Sequence, residues 1–430
     1  MDETTSQVRR RRVFYIPGYD PIHPRRYREL YRTESAAQAQ ITGYDIALSP
    51  KRTGGTYGWQ VEATIAGKTV AADVEALIWS DIVRDSMAAG IAATYGQMVR
   101  TAWTYIASGA LRRLMWLRKG PVIAALYPVG MLLAQLIVAL AIGALAGVSG
   151  WWAIAGLSLP LFGLAEWLGG GAGFAVAVWW VASLVQYAIW GAVAVWILRW
   201  FKARDGKFYA YYLMHDYAFS ARWNGANPPA LEDRMAEFGT IIAAALSSDV
   251  DEVLVVGHSS GAHLAVSILA DLIRAEKVPA GGPKLAFLSL GQVVPMLSFL
   301  PAAHRLRADL AYLSARPELT WIDVTAPGDG CAFALCDPVA VSGVAPPHQR
   351  WPLVISAAFT QSLSPERWNE LRWRFFRLHF QYLCAFDRPK DYDYFQITAG
   401  PLTLKDRYRD RAPSRSRIDV AASKYISVAA

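Results

Sequence analysis

The chain has 430 residues, of which 54% are hydrophobic and 18% charged, and a formal net charge of +8. That balance excludes a disordered polypeptide and leaves room for two ordinary domains, or for one large domain carrying an insertion. Three cysteines (Cys331, Cys336, Cys384) without recurring paired spacing argue against a disulfide framework and a Cys/His metal site, and predict reduced thiols facing a cytosol.

The seventeen tryptophans fall mostly in or near the apolar middle of the chain, which suits the interfacial anchors of a membrane protein. The positive charge is assigned to anionic lipid and not to nucleic acid. The arginines flank apolar segments, and no aromatic–basic nucleic-acid module is recognisable. In the opening MDETTSQVRRRRVFYIPGYD, four arginines precede an apolar run of only four residues. This predicts no secretory signal and reads Arg9–Arg12 as a solvated flank.

Val13 to Ile16 reads as a short buried strand ending in the turn Pro17-Gly18-Tyr19-Asp20. A helix around Pro24 to Gln40 follows, then strands at Ile41 to Ser49, Gly58 to Ile65 and Val74 to Trp79. From Met87 to Leu117 the pattern is helical.

An apolar region runs from Pro121 to Leu198. Its first part, Pro121 to Val148, and its last, Ala172 to Leu198 with Trp179, Trp180, Trp190 and Trp196, carry no charge. Each exceeds the roughly 20 residues a spanning helix needs. Between them GWWAIAGLSLPLFGLAEWLGGG, broken by Pro160, Glu166 and glycines, is expected to be an interfacial or re-entrant loop, with a third span as the alternative. If the segments before and after build one sheet, the number of crossings is even, and two are predicted. Arg112, Arg113, Arg118 and Lys119 precede the block and Arg199, Lys202 and Arg204 follow it, with no lysine or arginine between. The expectation is an integral membrane protein of bacterial inner-membrane type, with the flanking domain and both termini in the cytoplasm.

Beyond the block, Phe208 to Leu213 reads as a strand and Leu231 to Leu246 as an amphipathic helix. Strands follow at Glu252 to Val256, Leu285 to Leu290, Leu319 to Thr325 and Leu353 to Ala357, with helices at His263 to Ala275 and Ala302 to Ala315. Alternating strands and helices indicate a mostly parallel α/β sheet. Residues 1–118 and 201–400 thus form two parts of one domain, 119–200 a transmembrane hairpin, and 401–430 a basic, mobile tail.

The stretch LVVGHSSGAHLA, residues 254–265, places Gly257-His258-Ser259-Ser260-Gly261 between a strand and a helix. In such a turn the serine adopts strained backbone angles while the flanking glycines let strand and helix approach closely. The turn presents Ser259 Oγ above the sheet and the Ser260 N–H at a helix N-terminus, where an oxyanion is stabilised.

On these residues the chain resembles the α/β-hydrolase superfamily, with a lipase- or esterase-like arrangement over about 13–80 and 205–400. The resemblance implies a serine nucleophile, Ser259, and a second oxyanion donor from the loop after an early strand. Here Ile16-Pro17-Gly18-Tyr19 stands where a His-Gly pair is common, so Gly18 fits the loop and the Tyr19 N–H is the candidate donor. The family order Ser, acid, His implies Asp329 as the acid, beyond the strand that contains Asp323; Asp337 is a turn or cap residue. His379 follows the final strand and is the implied base, with His348 as the alternative. His258 and His263 lie too close to Ser259 in sequence for that role, and His23, His215 and His304 carry no recognisable pattern.

The implied reaction is ester cleavage through an acyl-enzyme, with no metal or organic cofactor. The hairpin directs the expectation toward a membrane lipid or another hydrophobic ester. Its glycines (Gly143, Gly147, Gly169, Gly170, Gly171, Gly173) permit close helix packing and so a homodimer. The alternatives are an acyltransferase using the same nucleophile, and a non-catalytic membrane scaffold that keeps the hydrolase shape.

Overall fold

The computed structural model of the protein describes residues 7–51 and 54–429. Eight strands, β1 (Arg10–Ile16), β2 (Asp45–Pro50), β3 (Gly58–Ile65), β4 (Lys68–Ala76), β5 (Glu252–His258), β6 (Lys284–Leu290), β7 (Leu319–Thr325) and β8 (Leu353–Ser356), form one sheet. Its order is β2-β3-β4-β1-β5-β6-β7-β8. Only β3 runs against its neighbours; every other pairing is parallel.

The described residues divide into two compact units, one made of 7–51, 54–88, 100–124 and 218–429, the other of 89–99 and 125–217. The first unit holds the whole sheet. Its central strands are buried along their length, as EVLVVGH of β5 is, because helices cover both faces of a parallel sheet. Toward the edge, β3 alternates buried and accessible residues.

Several boundaries differ from the sequence expectation for local reasons. Helix α1 (Arg25–Thr42) takes the first residues of the expected strand 41–49. It stops at Gly43, whose left-handed backbone (φ 75°) lets its N–H cap the Ala39 carbonyl at 2.8 Å. Strand β4 begins at Lys68, not Val74, because Ala66-Gly67 make a two-residue hairpin turn that pairs Ile65 with Lys68.

Arg11 is no solvated flank. It is buried in β1, donates to Glu252 at 2.6 Å and to the Gly400 and Leu402 carbonyls, and so ties β1 to β5 and to the C-terminal region. Nor do the last residues stand free. Ile418 exchanges backbone hydrogen bonds with Leu335 and Asp337, Ser414 N–H donates to Val354, and the buried Arg307 guanidinium holds the Ser427 carbonyl at 2.7 Å. The expected helical stretch before the apolar block forms three helices, α2 (Ser80–Met87), α3 (Ile91–Ala107) and α4 (Ala110–Leu117).

The second unit is helical. Two helices are long and apolar enough to cross a membrane: α5 (Lys119–Trp167, 49 residues), which belongs to the second unit from Ala125 on, and α6 (Gly171–Ala203, 33 residues). The segment expected as a re-entrant loop continues α5 through Pro160, and the chain turns only at Leu168–Gly170, with Gly169 at φ 78°. A proline inside a helix costs one hydrogen bond and a ring clash, and neither of the two inside α5, Pro128 and Pro160, stops a helix this long.

Gly143 and Gly147 of α5 let α6 approach within the same chain. A Cβ at Gly143 would lie 2.7 Å from the Trp190 carbonyl oxygen, and one at Gly147 2.6 Å from that of Gln186. The Trp190 indole N–H donates to the Leu140 carbonyl at 3.0 Å. The expected strand Phe208 to Leu213 is instead helical, in α7 (Asp205–Phe208) and α8 (Ala210–Arg222). The Asp205 carboxylate starts α8 by accepting the N–H groups of Tyr211 and Tyr212, a cap that outweighs the strand preference of an aromatic run. Helix α9 (Pro229–Leu246) then leads back to β5 in the first unit.

Candidate active site

Register decides which loops meet. Ile16 lies level with Gly257 on β5, His258 with Leu290 on β6, and Leu290 with Val324 on β7. The segments after these residues, 17–20, 259–261, 291–293 and 326–331, therefore leave the sheet side by side at its C-terminal edge. This is where open parallel sheets gather their functional groups.

After β5 the chain reverses in one residue. Ser259 sits at φ +56°, and helix α10 (Gly261–Arg274) begins two residues later. A left-handed residue with a side chain costs about 1–2 kcal/mol. What holds it there is close packing: a Cβ on Gly261 would lie 2.0 Å from the Ile16 carbonyl oxygen, and one on Gly257 2.7 Å from Ala262 Cα. The Ser259 N–H donates to the Leu290 carbonyl at 2.9 Å. The serine itself is half-buried.

The loop after β1 lies against this turn. A Cβ on Gly18 would meet Ser259 Cβ at 2.9 Å and its Oγ at 3.3 Å, so only glycine lets the backbone of Gly18 and Tyr19 come this close to the serine. The loop is fixed from two sides. The buried Trp79 indole N–H donates to the Pro17 carbonyl at 2.9 Å, and Asp20 accepts the Tyr27 hydroxyl at 2.8 Å. The Tyr19 ring packs on Trp79 and Phe219.

From the other side come Asp329, in the loop after β7, and His379, at the end of a one-turn helix Phe375–His379. Both are buried. His379 Nδ1 donates to Asp329 Oδ2 at 2.7 Å, the Tyr382 hydroxyl donates to the same oxygen at 3.0 Å, and the Cys331 N–H donates to Oδ1 at 2.9 Å. Burial alone would raise the Asp329 pKa; His379, with the Cys331 and Tyr382 donors, holds it below the usual carboxylate range instead. The His379 ring lies where a Cβ on Gly291 would meet its Cε1 at 3.0 Å, one residue past the carbonyl that accepts the Ser259 N–H. Ser259, Asp329 and His379 thus converge on one edge. No hydrogen bond joins the Ser259 hydroxyl to His379 among the described residues; such bonds commonly tighten only when substrate is bound.

Donor atoms of Asp329, Cys331 and His379 lie within 4.8 Å of one another. Two ligands held at about 2.0–2.1 Å by one tetrahedral ion stand more than 3 Å apart. The 2.7 Å between Oδ2 and Nδ1 therefore fits a shared proton and not a shared cation.

The other candidates separate cleanly. His348 is exposed in a loop, so the structure gives it no part in this cluster. Asp323 is buried within β7, where it accepts the Ser289 hydroxyl and burial pushes its pKa up to about 8. Asp337 caps the short helix Pro338–Val341. His263 is buried on α10, His215 belongs to the second unit, and His304 starts the helix His304–Ser314 beside Arg307. His23 accepts the N–H of Arg25.

Three residues have roles at the site that the sequence did not disclose. Tyr382 shares the carboxylate with His379, and its only signal is a spacing of three after the histidine. Trp79 pins the loop after β1 from a distant position in the chain. His258 directly precedes the serine; its Nε2 lies 3.0 Å from the His379 carbonyl and its ring 4.8 Å from the His379 ring. Burial, and then the neighbouring His379, lowers its pKa to about 3, so it is neutral.

No protein-family model matches the chain, and neither a curated protein nor a solved structure is significantly similar to it.

Proposed function

We propose that the protein is a membrane-anchored serine hydrolase of α/β-hydrolase type that cleaves a carboxylic ester of a lipid or another hydrophobic acyl compound. The single observation carrying this reading is the buried His379–Asp329 pair brought to the same sheet edge as Ser259 in its left-handed turn. Strand order supports it too, since the glycine loop after β1 and the serine turn after β5 come from adjacent parallel strands.

In this mechanism His379 Nε2 takes the Ser259 hydroxyl proton as Oγ attacks the ester carbonyl carbon. Asp329 holds the ring in the tautomer that leaves Nε2 free to accept, and stabilises the imidazolium that forms. The N–H groups of Tyr19 and Ser260 bind the developing oxyanion. Collapse expels the alcohol, which takes the proton from His379 and leaves an acyl-Ser259 ester. Water, deprotonated by the same histidine, releases the carboxylic acid and restores the serine. An acceptor alcohol in place of water would make the same intermediate an acyl transfer.

The two long apolar helices are the reason for preferring a lipid substrate, and an even crossing count keeps the sheet-bearing segments on one, cytoplasmic, side. The test is fluorophosphonate labelling of the full chain in lipid nanodiscs. Wild type is expected to react covalently and Ser259→Ala not at all. Equal labelling of the two, or none of the folded wild type, would leave the scaffold reading in place.

A further inference from the structure

The one-turn helix that ends in His379 begins in solvent. Trp373 and Phe375 are 72% and 49% exposed, although large apolar side chains gain from burial. Phe375 leans on Gly330, where a Cβ would meet its ring at 3.3 Å, and a Cβ on Gly120 would lie 3.4 Å from the Gly330 carbonyl oxygen. Gly120 opens α5, and four residues before it Trp116 is 68% exposed. Two distant parts of the chain, each carrying exposed aromatic side chains, thus meet at Gly120 and Gly330 beside the loop that bears Asp329, all within the first unit.

Cations flank these aromatic residues in the chain. Arg112, Lys119 and Arg372 are exposed and pair with no carboxylate among the described residues, while Arg367, Arg374 and Arg377 share the single carboxylate of Glu370. Exposed tryptophan and phenylalanine with lysine and arginine form the residue set found at the boundary of headgroups and acyl chains. Chain continuity selects the occupant. Lys119 and Gly120 are the first residues of the 49-residue apolar helix, and the uncharged run that follows starts at Pro121, so Trp116 lies at the end of the chain from which that helix would enter a bilayer.

We infer that Trp116, Trp373 and Phe375, with Arg112, Lys119 and Arg372, seat the rim of the site on an anionic bilayer surface. His379 is four positions beyond Phe375, about 6 Å along a helix, so the proposed base stands about one turn from a residue seated at the headgroup layer. The proposal deepens the hydrolase reading by giving the substrate its direction of entry, from the lipid side. It rests on that reading for its meaning but not for its test.

The test places a photo-crosslinking p-benzoyl-phenylalanine at position 373, 116 or 249 of the full chain in nanodiscs containing phosphatidylglycerol. Asp249 is almost fully exposed and lies before β5, at the opposite end of a seven-residue strand from Ser259, about 20 Å away. Lipid adducts are expected at 373 and 116 and not at 249. Yield at 373 should fall by up to about fivefold for each of Arg112→Gln, Lys119→Gln and Arg372→Gln, and by more than any one of them in nanodiscs of phosphatidylcholine alone. Equal yields at 373 and 249, adducts indifferent to lipid charge, or a chain-to-chain adduct at 373 each overturn the inference. Lipid adducts without Ser259-dependent fluorophosphonate labelling would keep this inference and end the hydrolase reading; labelling without adducts would do the reverse.

Discussion

Asp329→Asn tests the proposed chemistry most directly. The carboxylate accepts three donors, two of them on Oδ2. An asparagine that keeps its oxygen toward the Cys331 N–H turns its NH2 group toward both His379 and Tyr382. Hydrogen bonds to a charged group are worth about 1.5–3 kcal/mol each, so that pose forfeits roughly 3–6 kcal/mol. His379 can recover part of this by switching tautomer so that Nδ1 accepts from the amide. The switch puts the proton on Nε2, and the ring can no longer take the serine proton. In a serine–histidine–aspartate triad this change lowers the rate by about 10⁴, or roughly 5.5 kcal/mol of barrier. The assay is the second-order rate of fluorophosphonate labelling, with a thermal melt beside it. Asp323→Asn is the control: a buried acid with a pKa pushed up to about 8 is already neutral at pH 7, so the isosteric amide should leave the labelling rate within about twofold and stability within about 1 kcal/mol. Labelling of Asp329→Asn within tenfold of wild type, or an equal loss in Asp323→Asn, would refute the role given to Asp329.

Three further outcomes follow from the same geometry. Gly261→Ala puts a methyl 2.0 Å from the Ile16 carbonyl oxygen, so α10 or β1 must shift by about 1 Å; a misplacement of that size costs about 10² in rate. Labelling of a folded Gly261→Ala at the wild-type rate would contradict the packing described. Trp79→Phe leaves the Pro17 carbonyl unpaired, and a drop of about 1–3 kcal/mol in urea-unfolding free energy is expected with slower labelling. An unchanged labelling rate would mean the indole does not hold the oxyanion loop.

The third outcome concerns acid. Burial lowers the pKa of His258 to about 3 and of His263 to about 4, against about 6.5 for an unfolded histidine. Their contribution to stability is complete above pH 6.5 and is lost as pH falls toward 4 and then 3, because the unfolded chain binds the protons first. With both groups in play the slope near pH 5 approaches roughly 2.7 kcal/mol per pH unit. The lowered Asp329 carboxyl adds its loss only below about pH 4. Urea midpoints that stay flat from pH 7 to 5 would refute this account of the two histidines.

Much of the protein is local and so was legible in the chain. The serine turn combines an all-apolar strand, two glycines and a helical run, all within a few residues of one another. The two long apolar stretches, the strands around 252–258, 284–290 and 319–325, and the place of Asp329 beyond its strand are of the same kind. Errors arose where one local preference met a stronger neighbour. The aromatic run at 208–213 became helix because Asp205 caps it, and most of the apparent loop at 150–171 became helix because Pro160, like Pro128 before it, does not stop so long an apolar run.

What the chain alone determined is which short segments form strands, helices and the strained serine turn, because backbone preference, period of burial and glycine placement act over a few residues. Tertiary structure alone decided which of several acids and histidines meet. Asp329 and His379 lie 50 residues apart, and only strand register and the path of the last helices bring their side chains to 2.7 Å while leaving His348 in solvent and Asp323 inside the sheet. Pairing across such separations is fixed by packing and hydrogen-bond satisfaction summed over the whole sheet, a quantity that no short window of sequence contains.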